Sequence, residues 1–166
     1  MKIIIWVRQD LRLFDNPALS SAANQGQILP VFICPEGLGG ASYWWLHHSL
    51  VAFENSLGEQ GIPLLFKTGK PEEILLEIAQ QTGVEKVVWN RDYSPLGIEQ
   101  GSKLKKALDS ADIKHQSFNG QLLIEPSKVL TKQGTPFKVF TPFWRNCRAN
   151  VDSIIHPPEP LTTPKA

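Results

Sequence analysis

Cysteine is scarce in this chain: two among 166 residues, Cys34 and Cys147, far apart in the sequence. That excludes a disulfide framework and any zinc site built on cysteine pairs. Long apolar runs are lacking too. The longest near the N-terminus, Ile3 to Val7, is ended by Arg8 and Asp10, too short for a signal-peptide core or a bilayer span. A cytoplasmic protein without membrane association is the expectation. There is little excess charge: Lys plus Arg is 17, Asp plus Glu is 16, net +1. That balance gives no general drive toward nucleic acid or an anionic membrane, so a nucleic-acid role needs a local patch or a partner. The phosphate-cradling motifs are absent as well. Gly37-Leu38-Gly39-Gly40 has the wrong spacing for GxGxxG, and Gly69-Lys70 runs into Pro71, which lacks the hydroxyl and the amide of a P-loop. No serine sits in a nucleophile elbow.

What is present is a globular composition, 42% hydrophobic and 20% charged, at a length of about one domain. Strand and helix signals alternate. Lys2 to Val7, Gln27 to Ile33, Pro63 to Lys67, Glu85 to Asn90 and Ile113 to Phe118 read as strands. Asp15-Asn16-Pro17 starts a short helix running to about Asn24. Ser42 to Gln60 reads as an amphipathic helix with Leu46, Leu50, Phe53 and Leu57 on one face. Pro71 opens a helix with Ile74, Leu75, Ile78 and Ala79 inward and Gly83 at its end. Pro95 opens another, carrying Ile98, Leu104 and Leu108. Five strands each followed by a helix predict an α/β fold: a five-stranded parallel sheet with helices on both faces. The register breaks after about Phe118. An irregular stretch, Gly120 to Val139, has a turn at Lys132-Gln133-Gly134-Thr135, and a last helix spans Thr141 to Asn150. Pro157, Pro158, Pro160 and Pro164 make the end an extended linker. The reading is a 1–150 domain followed by a 151–166 interdomain linker, with a further domain expected beyond it.

In an open parallel sheet, ligands bind beyond the carboxyl ends of the strands. That rule selects four polar loops: Arg8 to Arg12, Cys34 to Gly37, Asn90 to Pro95, and Asn119 to Gln121. Their Arg, Asp, Glu and Asn side chains suit a polar heterocycle or phosphate, and pairing or helix capping explains many such residues equally well. His47 and His48 are helix neighbours whose side chains diverge by about 100°, so they do not chelate one metal together. One half-buried and one at an interface is expected, and no metal site. The five tryptophans, Trp6, Trp44, Trp45, Trp89 and Trp144, suit core and interface positions. Of the adjacent Trp44 and Trp45, at least one faces away from the sheet.

Four motifs in order resemble the DNA photolyase/cryptochrome family: IIIWVRQDLRLFDNPAL from Ile3, SYWWLHHSL from Ser42, WNRDYSP from Trp89 and KVFTPFW from Lys138. The style is nearest the bacterial class I deoxyribodipyrimidine photolyases. The resemblance implies the N-terminal antenna domain of a longer protein. A C-terminal FAD-binding helical domain, not in this chain, would hold the flavin and the damaged base. It implies a light-driven carbon–carbon lyase in the full-length protein, splitting pyrimidine dimers flipped out of DNA, with this piece alone inactive. This domain would hold a light-harvesting chromophore: a methenyl folate, an 8-hydroxy-deazaflavin or a flavin. By resemblance Asn90 and Asp92, Glu36 with Phe32 and Ile33, and Arg8 with Asp10 belong to its pocket. Many relatives carry Arg beside the tryptophan pair, where this chain has Tyr43. Lys138, Phe140, Thr141 and Phe143 would help seat the helical domain or simply pack. Two other readings are a cryptochrome photoreceptor fragment without repair and a stand-alone α/β nucleotide-binding module.

Overall fold

The structure, a computed structural model, describes residues 1–151. The expected proline-rich linker lies, from residue 152 on, outside them. The chain folds as two compact units, Met1–Gly120 and a second that begins at Gln121.

In the first unit β1 (Lys2–Val7), β2 (Gln27–Cys34), β3 (Leu65–Thr68), β4 (Lys86–Asn90) and β5 (Lys114–Phe118) form one parallel sheet in the order β3-β2-β1-β4-β5. β1 is central, which explains its unbroken apolar run: a strand covered on both faces needs no polar alternation. Ile3, Ile5 and Val7 face one side. They pack with Ala18, Leu19 and Ala22 of α1 (Pro17–Ala23) and Phe53 and Leu57 of α2 (Gly40–Gly58). Ile4 and Trp6 face the other. They pack with Leu75, Ile78 and Ala79 of α3 (Pro71–Thr82) and Leu104 and Leu108 of α4 (Pro95–Ser110). Each such Leu, fully buried, contributes about 1.5–3 kcal/mol.

The helix starts follow capping chemistry. Asn16 accepts from the Leu19 amide and Ser94 from the Gly97 amide, each just before a proline at the first helical position. Gly83 ends α3 with a left-handed φ of 65°, which glycine adopts without strain.

Three details differ from the sequence reading. β3 starts at Leu65 rather than Pro63: a proline has no N–H to give to the ladder. Ile98 lies outward at 60% exposure, because the inward stripe of α4 runs Gly97, Gly101, Leu104, Leu108 and leaves position 98 about 100° off it. His47 and His48 are both exposed. Their rings meet edge to face at 5.3 Å, with Trp44 a further 4.4 Å from His48.

The second unit, from Gln121, holds a 3-10 turn at Pro126–Lys128, an antiparallel bridge between Leu130 and Pro136, and α5 (Phe140–Ala149). The turn foreseen at Lys132 to Thr135 closes that bridge, with Gly134 at a φ of 75°. Val129 and Cys147 are its small core, flanked by Ile124, Phe137 and Phe143.

Candidate functional site: a cavity at the switch in strand order

From β1 the chain steps outward to β2 and β3, then returns to β4 on the other side of β1. The helices after β1 and β4 therefore leave opposite faces, and a crevice opens at the carboxyl ends of these strands. A cavity of about 830 Å3 occupies it. The β1 loop contributes Arg8, Gln9 and Leu11, and the end of β2 contributes Phe32 to Glu36. α2 adds Trp45, Leu46 and Ser49, the loop after β3 adds Gly69 and Lys70, and the start of α3 adds Pro71. Asp92, Ser94, Leu96 and Gln100 come from the β4 loop and α4, and Trp6 from β1 itself. Apolar walls with a few placed polar groups, in a space of this size, suit a small flat organic ligand.

Five of the seven expected site residues meet on this wall: Arg8, Phe32, Ile33, Glu36 and Asp92. Asp10 and Asn90 do not. They are 3% and 2% exposed and spend their polar atoms on each other. Asn90 Nδ2 donates to Asp10 Oδ2 and to Asn16 Oδ1, the latter at 2.7 Å. Asn90 Oδ1 accepts from the Ala18 amide at 3.2 Å, and Asp10 Oδ1 from the Arg8 amide at 2.9 Å. Asn16 Nδ2 donates to the carbonyls of Asp10 and Arg12. The network joins the β1 loop, the start of α1 and the end of β4. It is the frame behind the cavity wall.

The other loop arginines are similarly committed. Arg12 Nη2 donates to the carbonyls of Asp15 and Gly120, and Arg91 Nη1 to that of Ser117 at 2.7 Å. The loop after β5 contributes nothing to the cavity lining, since β5 is the far edge of the sheet. Its Gly120 instead leaves room for Asn90: a Cβ there would lie 2.5 Å from Asn90 Cγ.

Arg8 behaves differently. One nitrogen, Nη2, donates to the Asn90 carbonyl. The guanidinium lies 4.3 Å over the Trp6 ring, a cation–π contact. Burial lowers its pKa, while the nearby Asp92 and Asp10 carboxylates raise it. It stays a cation throughout the working pH range.

Asp92 is held in place from two sides. Its Oδ1 accepts from the Ser94 amide at 2.8 Å, and Gly97 leaves it room, since a Cβ there would lie 2.2 Å from Asp92 Cγ. Gly97→Ala is therefore expected to turn Asp92 away and cost about 1–3 kcal/mol, as overpacking does. Urea unfolding checks this.

Trp6, Lys70, Ser49 and Gln100 were not singled out from sequence. In the sequence Lys70 stands out only as part of a failed phosphate loop. Trp6 carried one usable signal: it is two residues from Arg8, so strand alternation puts both on one face.

Residues 3–165 match the DNA photolyase family. The chain is 44% identical to the deoxyribodipyrimidine photo-lyase of Agrobacterium fabrum, over 98% of this chain and 35% of that protein. It is 39% identical to Cryptochrome-2 of Arabidopsis thaliana, over 95% of this chain and 27% of that one. The chain thus spans about a third of the length of the curated relatives it matches. The crystal structure of a bacterial class III photolyase from Agrobacterium tumefaciens superposes with a TM-score of 0.83 at 43% identity, covering 99% of this chain and 36% of that one. The motif reading placed the chain nearest class I. An archaeal photolyase from Sulfolobus tokodaii, described with two FAD molecules and the implication of a novel light-harvesting cofactor, shares the fold. Its TM-score is 0.79 at 24% identity, over 99% of this chain and 38% of that one. Among the described residues no helix is long and apolar enough to cross a membrane. Motifs, sheet order and family match agree, and the chain belongs to the DNA photolyase family.

Proposed function

We propose that this chain is the light-harvesting part of a longer, light-driven DNA repair enzyme, and that the cavity at the switch in strand order holds its antenna chromophore. The observation that carries the reading is the cavity: about 830 Å3, largely apolar, with Arg8, Glu36, Lys70 and Asp92 as the charged groups on its wall. Phe32, Ile33, Leu46 and Pro71 would cover the faces of a planar ring system. Glu36 and Asp92 would accept from its N–H groups, and Arg8 would donate to its oxygens. A methenyl folate, an 8-hydroxy-deazaflavin or a flavin each offers that combination. The chemistry such a group supplies when bound is absorption of near-ultraviolet or blue light and transfer of the excitation onward.

No nucleophile or acid–base pair is needed on this wall. The chain's task is rigid positioning and exclusion of water, for which the largely apolar wall at the carboxyl ends of the strands is suited. In the whole protein the flavin, the dimer pocket and the DNA contacts would belong to the C-terminal helical domain, acting on pyrimidine dimers as a carbon–carbon lyase. The cryptochrome relative keeps a second reading in view: the same architecture in a photoreceptor without repair. Expression of the full-length gene product and a light-dependent assay of pyrimidine-dimer splitting in DNA decides between them. Repair under blue light and none in darkness is expected. A flavin-loaded full-length protein without repair in light would overturn the enzyme reading in favour of the photoreceptor.

A further inference from the structure

Among the described residues, two buried side-chain nitrogens have no hydrogen-bond partner: Trp6 Nε1 and Arg8 Nη1. Unpaired buried donors are rare in folded chains, and each one asks for an explanation. Here both fall on alternate, same-face residues, one on a strand and one on the loop that follows it. Both residues line the same cavity, and the guanidinium of one rests on the ring of the other. Trp6 is 2% exposed. Its indole offers a donor and no acceptor, as does the guanidinium. Neither nitrogen has a carboxylate as hydrogen-bond partner: Asp10 is engaged by Asn90 and the Arg8 amide, and Asp92, near enough to raise the Arg8 pKa, accepts from the Ser94 amide.

We infer that Trp6 and Arg8 form a donor pair that reads an acceptor edge of the ligand, such as a ring carbonyl or an ionised ring oxygen, and so fix which end of a flat chromophore lies deepest in the cavity. The inference rests on the proposed antenna reading and adds an orientation to it. Both nitrogens are shielded from water, so the acceptor reaches them as the guanidinium turns about its Nη2 anchor on the Asn90 carbonyl. That turn would open the way to the Trp6 ring, over which the guanidinium lies. Neither donor then needs an acceptor from the protein, which accounts for the chain providing none. Glu36 and Asp92, as acceptors, take the ligand's N–H groups, so opposite edges of the ring system are told apart by opposite hydrogen-bond polarity.

The test uses the 166-residue chain and three probes, a methenyl folate, an 8-hydroxy-deazaflavin and riboflavin phosphate, titrated by absorbance. Trp6→Phe keeps an aromatic ring under Arg8 and removes only the indole donor. Arg8→Lys keeps the cation and removes the second nitrogen. For whichever probe binds the parent chain, each variant is expected to weaken affinity by roughly ten-fold, the effect of an unmade buried hydrogen bond. Each should also shift the bound absorption maximum, a change that altered packing alone does not require. The Trp6 indole proton, identified in 15N spectra by its loss in Trp6→Phe, should move downfield on binding. Parent-like affinity and spectrum in Trp6→Phe, with an unmoved indole proton in the parent, would overturn the donor-pair inference while leaving the antenna reading intact. Failure of all three probes to bind the parent would instead overturn the antenna reading itself.

Discussion

Asn90→Ala is expected to lower the stability of the chain by about 3 kcal/mol or more, seen as a lower urea midpoint with an unchanged slope. The side chain closes a buried circuit. Its amide nitrogen serves Asp10 and Asn16, and its oxygen serves the first turn of α1. Removing it leaves a carboxylate that is 3% exposed without its side-chain donor, and stranded buried charges are among the costliest defects. The Arg8 anchor survives, because Arg8 is held by the Asn90 backbone carbonyl. Ligand affinity, measured well below the unfolding midpoint, should therefore change much less than stability does. Lost binding with unchanged stability would put Asn90 on the wall and refute the framework role.

Ser49→Trp is expected to do the reverse. Ser49 sits on α2 at the cavity wall, and its hydroxyl donates only to the Trp45 carbonyl one turn earlier, at 3.0 Å. Losing that bond strands no donor. An indole placed there fills space a ring system needs. Chromophore affinity should fall by about 100-fold or more, while stability stays within about 1 kcal/mol of the parent. Titration and urea unfolding of one preparation check both halves. A variant that binds as the parent does would move the ligand out of this cavity.

Much of the fold was legible because its signals are local. The β1 run, the prolines at the starts of α1, α3 and α4, and Gly83 each announce an element from within a few residues. Edges were less legible: Pro63 reads as strand by composition, yet pairing begins only where Leu65 meets Val31. The site divides along the same line. Arg8, Phe32, Ile33, Glu36 and Asp92 follow from strand-end position together with the family motifs. The partnership of Asp10 and Asn90 joins residues 80 positions apart, and it exists because β4 returns to pair with β1. Nothing in either local sequence says whether such a polar residue faces a ligand or another side chain. Lys70 and Gly69 are silent in the sequence for a related reason. They match no motif, and they reach the cavity only because β3 lies beside β2. Trp6 reads as core, and it is core; its unpaired nitrogen becomes apparent only when every possible acceptor has been placed.

The cavity at the switch in strand order is proposed to bind a flat light-absorbing chromophore. The most direct measurement is an absorbance titration of the chain and its Ser49→Trp variant with a methenyl folate, an 8-hydroxy-deazaflavin and riboflavin phosphate. Saturable one-to-one binding of at least one of them by the parent chain, lost in the variant, is expected. Binding of none by a folded parent, or equal binding by both proteins, would contradict it.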